Sequence, residues 1–146
     1  MGDRHFFDDH STLVLRSLIG LVNTQPNLSV IPSIKTVIDA DHDDSKVTLI
    51  CGGGSGHEPG STGFVGRGLL SASVCGDVFA SPSARQVYGA MKALPSKKGT
   101  ILSITNCCVL CFFSLCSRLT ILPQTLATTC ISGLRVSRRE RMELRT

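Results

Sequence analysis

The spacing of hydrophobic and polar positions predicts two amphipathic helices. Between Ser11 and Val22 the apolar side chains recur every three or four residues, and either Asp9 or Ser11 is available as the N-cap. A second apolar face recurs over Ala84–Leu94, directly after the segment Ser81-Pro82-Ser83. Its proline falls near the first helical turn, where a missing N–H is tolerated. We therefore predict helices at Ser11–Val22 and Ala84–Leu94.

Short runs rich in β-branched residues predict the strands. They cover Ile34–Ala40, Lys46–Ile50 and Thr100–Ile104. Two further apolar segments, Ala72–Val74 and Val78–Ala80, flank a Cys-Gly-Asp sequence, whereas residues 23–32 are punctuated by Asn, Pro and Ser, as connections are. Strands that alternate with helices predict an α/β fold with a mostly parallel or mixed sheet.

Length and composition favour one globular domain. The chain has 146 residues, of which 42% are hydrophobic and 18% charged, and this length is enough to bury a core. The net charge of +4 comes largely from five arginines that fall between Arg135 and Arg145. A nucleic-acid partner is not expected, because such proteins need a basic surface interleaved with stacking aromatic residues.

The N-terminal sequence and the cysteines predict a cytoplasmic protein. The start, MGDRHFFDDHSTL, is acidic before its first apolar stretch, whereas a secretory signal has a basic start. The odd count of seven cysteines fits reduced thiols better than a disulfide framework. An uncharged run at Gly99–Ser117 is near the lower limit for a membrane span, but it includes the strand-like Thr100–Ile104, so no membrane helix is expected.

A glycine-rich segment, Cys51–Pro59, contains the strongest candidate chemistry and reads CGGGSGHEP. Its glycines can adopt positive φ and bring several N–H groups into contact with a small polar ligand. His57 at the mouth of such a turn can hydrogen-bond a ligand or move a proton near neutral pH. The alternative is that Gly52–Gly56 is a flexible connection only. The segment matches neither common nucleotide-binding motif. A Walker loop needs Lys and then Ser or Thr after its last glycine, where this chain has His57-Glu58. The dinucleotide motif G-x-G-x-x-G needs a glycine at its last position, where this chain has His57.

The segment GGGSGHEP, followed by GFVGRGLLSASVCGDVFASPS and GTILSITN, resembles the substrate-binding domain of dihydroxyacetone (glycerone) kinases, called DhaK, over about Leu15 to Asn106. The resemblance implies that this domain holds a short-chain ketose such as dihydroxyacetone, while a separate helical domain holds ATP with magnesium. It places the ketose on Gly54, Ser55, Gly56 and His57, with Gly53 as a neighbour. It also implies that His57 hydrogen-bonds the substrate and assists proton transfer as the catalytic residue.

Other matched residues have simpler interpretations. The residues Gly63, Phe64, Gly66 and Gly68 are expected to serve backbone turns and packing. Asp77 is open to interpretation as a catalytic carboxylate, but a loop aspartate that bonds local N–H groups is commoner.

The resemblance ends after Asn106. Family members have a lysine where Thr105 stands, and residues 107–110 take the place of a Tyr-Thr-Gly-Asp segment whose aspartate is a proposed base. No histidine follows His57, so the histidine that holds the ketose covalently in the family is missing. We therefore expect residues 1–106 to be the N-terminal half of a DhaK-like domain and residues 107–146 to be a disordered or mis-predicted tail.

No metal site and no cofactor are expected in this chain. The spacing Cys108-x-x-Cys111 provides one ligand pair, whereas a zinc site needs four ligands. ATP and magnesium belong to the full-length family.

By resemblance, the expected function is ATP-dependent phosphorylation of a triose in glycerol catabolism, with this chain supplying part of the ketose-binding domain and inactive alone. A non-catalytic ketose-binding or regulatory module and a non-functional fragment are the alternatives. The expected partners are a ketose and, by resemblance, a second copy of the chain in a homodimer.

Overall fold

The computed structural model describes residues 9–104 and 118–122 as a sheet with a helix on each face. The elements, in chain order, are α1 (Leu13–Thr24), β1 (Leu28–Ile31), β2 (Thr36–Asp39), β3 (Thr48–Ser55), β4 (Ala72–Val78), α2 (Ala84–Ala93), β5 (Thr100–Ile104) and β6 (Arg118–Leu122). The strands follow the order β1-β2-β4-β3-β5-β6. Strands β4, β3 and β5 are mutually parallel, while β1, β2 and β6 pair antiparallel with their neighbours. This mixed sheet confirms the predicted α/β fold class.

Two hydrophobic clusters cover opposite faces of the sheet. Helix α2 buries Val87, Ala90 and Leu94 against side chains of β3, β4 and β5, with Ile50 fully buried at the centre. Helix α1 packs on the other face through Val14 and Leu18, where it meets β1, β2 and the Cys75 side chain of β4. Successive strand residues point to opposite faces, so β4 contributes Val74 to one cluster and Cys75 to the other.

Both predicted helices are present, with differences of at most two residues at their ends. A 3-10 turn at His10–Thr12 precedes α1, and the Asp9 carboxylate accepts a hydrogen bond from the Ser11 amide nitrogen at 2.9 Å. Ser83 is the N-cap of α2 and forms a reciprocal capping box with Gln86. Pro82 directly precedes this cap, which agrees with its predicted place near the first turn of the helix.

The strands before the glycine-rich segment differ from the prediction. The strand predicted at Ile34–Ala40 begins only at Thr36, because Pro32–Ile34 form a 3-10 turn that ends at Lys35 in the left-handed region, with φ of 46°. Strand β1 lies in the segment interpreted as a connection, where it pairs with β2. Its four residues are held by this pairing, which short-range periodicity does not reveal.

Strands β3 and β4 are longer than predicted, and β5 has its predicted length. Strand β3 begins at Thr48, two residues later than predicted, and continues through the glycines to Ser55. Strand β4 is continuous, whereas its sequence suggested two segments around Cys75-Gly76-Asp77. The prediction of Thr100–Ile104 is confirmed residue for residue by β5.

Several sequence predictions fall on residues outside the described ranges. These are the departures from the family at Thr105 and residues 107–110, the Cys108/Cys111 pair and the arginine-rich end. Five residues of the predicted tail form β6, and the division of the chain at residue 106 stays a prediction. Within the described residues, neither helix has the length and hydropathy needed to cross a membrane.

The buried side of α1 gives a test of this packing. We expect Leu18→Ala to lower the free energy of unfolding by about 2–5 kcal/mol, because the Leu18 side chain is only 1% exposed and its removal leaves a cavity. Leu13→Ala in the same helix is the matched control, since Leu13 is 37% exposed. Urea unfolding followed by circular dichroism measures both, and equal losses in the two variants would contradict the placement of α1.

Candidate functional site

The predicted site residues lie where the adjacent parallel strands β3 and β4 end. In α/β sheets, ligands bind beyond the carboxyl ends of the strands, where loops diverge. Gly53 pairs with Cys75 in the ladder, and Ser55 pairs with Val78 at its end. His57 follows two residues later and is exposed. The structure thus brings Gly53–His57 to one edge of the sheet.

Most of the glycine-rich segment is strand, which corrects the prediction of a glycine turn over Cys51–Pro59. Gly52, Gly53 and Gly54 belong to β3, and Gly56 is the first residue of the segment with positive φ, at 109°. A Cβ atom added at Gly52 would lie 2.7 Å from the Cδ1 atom of Ile104, so the end of that side chain would have to shift. The turn that can present N–H groups to a ligand is therefore shorter than predicted and begins at Gly56.

Ser55 connects the two strand ends. Its side chain is buried, and its hydroxyl donates a hydrogen bond to the Gly76 carbonyl oxygen at 3.2 Å. Its own carbonyl oxygen accepts a hydrogen bond from the Phe79 amide at 2.7 Å. Ser55 therefore fixes the position of the chain immediately before Gly56 and His57.

A tight turn presents the His57 imidazole. The His57 carbonyl oxygen accepts a hydrogen bond from the Gly60 amide at 3.2 Å, and the peptide bond between Glu58 and Pro59 is cis. The imidazole lies against Gly60, where an added Cβ atom would be 3.4 Å from Nε2. The turn keeps the ring at the surface.

Glu58 contacts the same amide that the prediction assigns to a ligand. Both carboxylate oxygens of Glu58 accept from the Gly56 nitrogen, at 3.2 and 3.0 Å. Sequence reasoning missed this role of Glu58, although its position two residues after a glycine turn is typical of a side chain that bonds the local backbone. A ligand that uses the Gly56 amide has to displace this carboxylate.

Apolar side chains border Gly56 on the β4 side. A Cβ atom added at Gly56 would lie 3.3 Å from both Val78 and Phe79 side chains, which are 44% and 56% exposed. Phe79 itself has positive φ, at 53°. The mouth of the site therefore combines one amide donor, an imidazole and an apolar border, a combination suited to a small uncharged polar ligand.

Asp77 is held by a distant lysine, which differs from both interpretations of its sequence. Its carboxylate pairs with the Lys35 ammonium, 42 residues earlier in the chain. Sequence spacing carries no signal for such a contact. Among the flanking glycines, Gly66 and Gly68 have positive φ, which agrees with their predicted role in turns, and Phe64 is 62% exposed.

Two thiols lie behind the site and are not nucleophiles. Cys51 and Cys75 are buried free cysteines on neighbouring strands. Burial raises the pKa of Cys75 to about 11 and also raises the pKa of Cys51. Since the thiolate is the reactive form, both side chains stay protonated near neutral pH and behave as small apolar groups.

Metal-ligating side chains do not cluster in the part of the chain that the structure describes. Within residues 9–104 and 118–122, no group of three or more His, Cys, Asp or Glu side chains is arranged to hold a metal ion. A cavity of about 600 Å³ lies at the opposite ends of the parallel strands, with Asp39, His42, Lys46 and Arg67 in its lining. That cavity is separate from the edge of the sheet where His57 lies.

Residues 19–108 match the Dak1 domain, which is more than half of the chain. The chain belongs to the Dak1 domain family. The Dak1 match includes the whole of β3, the turn at Gly56 and His57, and the end of β4. The predicted resemblance to dihydroxyacetone kinases is thereby confirmed.

Known Dak1 relatives agree with this assignment. The chain is 49% identical over 107 residues to a dihydroxyacetone kinase of Komagataella pastoris, covering 73% of this chain and 17% of the relative. It is 53% identical over 66 residues to the dihydroxyacetone-binding subunit DhaK of a PTS-dependent dihydroxyacetone kinase of Listeria innocua, covering 45% of this chain and 20% of the relative.

A solved structure shares the fold. The crystal structure of the dihydroxyacetone kinase from C. freundii in complex with AMP-PNP and Mg²⁺ superposes with a TM-score of 0.64 at 40% identity, covering 69% of this chain and 20% of that one. The chain therefore spans at most a fifth of the length of these three relatives.

Gly76 tests the close contact at the end of β4. A Cβ atom at this position would lie 1.9 Å from the Ala80 carbonyl oxygen, so Gly76→Ala has to move backbone and should cost at least about 1–3 kcal/mol of stability. In Gly20→Ala, the control in α1, the new methyl meets nothing within 4 Å and should stabilise the chain by about 0.5–1 kcal/mol. Chemical denaturation measures both, and a neutral Gly76→Ala would refute the contact.

Cys75 predicts a loss of stability at alkaline pH. The folded chain retains the Cys75 proton up to about pH 11, whereas an unfolded thiol loses it near 9.0. The unfolded state therefore binds fewer protons between these values, and the free energy of unfolding falls as pH rises through this window. In Cys75→Ala this contribution is absent, so urea titrations at pH 8 and pH 10.5 should give a smaller decrease. An identical decrease in both proteins would show that the thiol is not held protonated.

Proposed function

We propose that this Dak1 domain chain binds dihydroxyacetone or a similar short-chain ketose at Gly53–His57, as the ketose-binding part of a dihydroxyacetone kinase. The main support is the position of Gly56 and His57, two exposed consecutive residues directly beyond the end of β3. The naming of the Listeria innocua relative as a dihydroxyacetone-binding subunit supports the same ligand class.

The chemistry of the site suits a triose. A ketose of this size offers a carbonyl oxygen and hydroxyl groups, which accept a hydrogen bond from the Gly56 amide in place of Glu58. Its carbon atoms contact the apolar border formed by Val78 and Phe79. The site has no cluster of cationic side chains beside Gly56 among the contacts described above, so a neutral sugar is favoured over a sugar phosphate.

His57 is the group that would act on the acceptor hydroxyl. An exposed imidazole accepts a proton near neutral pH and can orient the hydroxyl to which phosphate is transferred. Ser55 keeps the imidazole in place indirectly, because its hydrogen bonds fix the preceding strand end. His57 is thus the proposed catalytic residue, and Gly53, Gly54, Ser55 and Gly56 form the proposed binding segment.

Phosphoryl transfer requires ATP and magnesium as well as the ketose. The kinase from C. freundii was solved with AMP-PNP and Mg²⁺, and phosphoryl transfer depends on a nucleotide held in line with the acceptor. This chain covers 20% of that kinase. We therefore propose that the chain acts in glycerol catabolism only together with a nucleotide-binding domain or subunit. The free, buried thiols fit a reducing compartment such as the cytoplasm.

A non-catalytic ketose-binding module is the second candidate. The Listeria innocua relative is itself described as a binding subunit of a larger kinase. The two candidates share the ketose site and differ in whether phosphate reaches the bound ketose. Transfer from ATP to dihydroxyacetone in the presence of a family nucleotide-binding domain would support the kinase, and binding without transfer would support the module.

Calorimetric titration of the purified chain with dihydroxyacetone tests the site. We expect saturable binding that weakens at least about tenfold in His57→Ala. A tenfold loss of affinity corresponds to about 1.4 kcal/mol, the contribution expected of one hydrogen bond. His42→Ala is the matched control, because His42 bonds Pro95 near the opposite ends of the parallel strands. Unchanged binding in His57→Ala, or equal losses in both variants, would contradict the proposal.

A further inference from the structure

The end of β4 contains an irregularity that positions the proposed site. Between the pairs Gly53/Cys75 and Ser55/Val78, β3 advances two residues while β4 advances three. The extra residue makes a bulge at Gly76-Asp77, next to the Ser55 hydroxyl that bonds the Gly76 carbonyl oxygen. Bulges change the direction of side chains and are frequent beside active sites. Because Ser55 bonds this bulge, a contact that stabilises the bulge also sets the position of Ser55.

We propose that Lys35 and Asp77 are positioning residues for the ketose site, because their ion pair holds this bulge. The inference rests on the proposed function of Gly53–His57. Strand β2 pairs with β4 as far as Thr36 and Val74, and the Lys35 carbonyl oxygen then accepts the Cys75 amide at 2.9 Å. The β2–β4 backbone ladder ends here, and the next contact to β4 is the ion pair between the Lys35 side chain and Asp77.

Backbone strain at Lys35 agrees with a positional role. Within the described residues, Lys35 and Phe79 are the two non-glycine residues with positive φ. Both touch the paired strand ends, since Lys35 bonds the Cys75 amide and Phe79 bonds the Ser55 carbonyl oxygen. Strained residues of this kind persist where the surrounding structure requires them, often at functional sites.

Gln86 gives the bulge a second, uncharged support. Its Nε2 atom donates to the Cys75 carbonyl oxygen at 3.2 Å and to the Ile34 carbonyl oxygen at 3.4 Å. Ile34, which directly precedes Lys35, and the base of the bulge at Cys75 are thus tied to the first turn of α2. With the base held by Gln86, the Lys35–Asp77 pair controls the outer part of the bulge, which faces Ser55 and Gly56.

Because the Lys35–Asp77 ion pair is exposed, its effect on ligand binding can be measured separately from its effect on the free energy of unfolding. The Asp77 side chain is 73% exposed and the Lys35 side chain 24% exposed. Exposed pairs contribute little to the free energy of unfolding, so loss of the pair should leave the fold intact. Lys97 and Asp44 form a comparable exposed pair at 2.9 Å, with side chains 75% and 52% exposed, before the start of β3 and β5. Lys97→Met is therefore a matched control.

The experiment measures dihydroxyacetone affinity, melting temperature and backbone amide chemical shifts for the full chain and five variants. We expect Lys35→Met and Asp77→Asn each to weaken binding about threefold to tenfold, and the double variant to bind no more weakly than either one, because the residues act as one pair. Lys35→Arg should restore near-normal affinity, since arginine keeps the charge. The melting temperature should change no more than in Lys97→Met.

Normal affinity in Lys35→Met, or an equal loss in Lys97→Met, would overturn the proposal. If the unmodified chain does not bind dihydroxyacetone, the proposed function fails, and the amide shifts still test the positional role. In that case Lys35→Met should displace the amide resonances of Gly56 and Phe79, while Lys97→Met leaves them in place. Undisplaced resonances in Lys35→Met would refute the role of the pair.

Discussion

The parallel pairing of β3 with β4 is the constraint on which the rest of the structure depends. Both strands are central in the sheet and buried on both faces, so their backbone groups have to pair with each other and their side chains have to be small or apolar. The pairing places Cys75 beside Gly53, while β5, on the other side of β3, brings Ile104 next to Gly52. Without this pairing, neither helix has a continuous apolar surface to cover.

The same pairing creates the candidate site by ending irregularly. A regular ladder would carry β3 and β4 forward together, whereas the extra residue of β4 at Gly76-Asp77 separates the chains at Ser55. The Ser55 hydroxyl fills the gap by bonding the Gly76 carbonyl oxygen, and the next two residues turn outward as Gly56 and His57. A buried, rigid strand pair thus supports an exposed amide and imidazole, an arrangement that preorganises a small site.

Much of this arrangement was predictable from local patterns. The helical spacing over Ala84–Leu94 and the β-branched run at Thr100–Ile104 gave elements that the structure reproduces closely. The motif around Gly53–His57 was sufficient to indicate the family. Local reasoning failed at β1, at the start of β2 and at the glycines of β3. At β1 and at the glycines of β3 a neighbouring strand decided the conformation, and strand preferences depend on such neighbours more than on the residue itself. At the start of β2 the 3-10 turn Pro32–Ile34 decided it instead.

The sequence by itself determined the alternation of strands and helices and the family, and it indicated Gly53–His57 as the candidate site. These depend on short-range periodicity and on a contiguous motif, both of which are visible within a few positions. Only the tertiary structure decided that Gly52–Gly54 are strand, that Glu58 bonds the Gly56 amide and that Lys35 pairs with Asp77. The partners in the last contact are 42 residues apart, and only the packing of β2 against β4 brings them together.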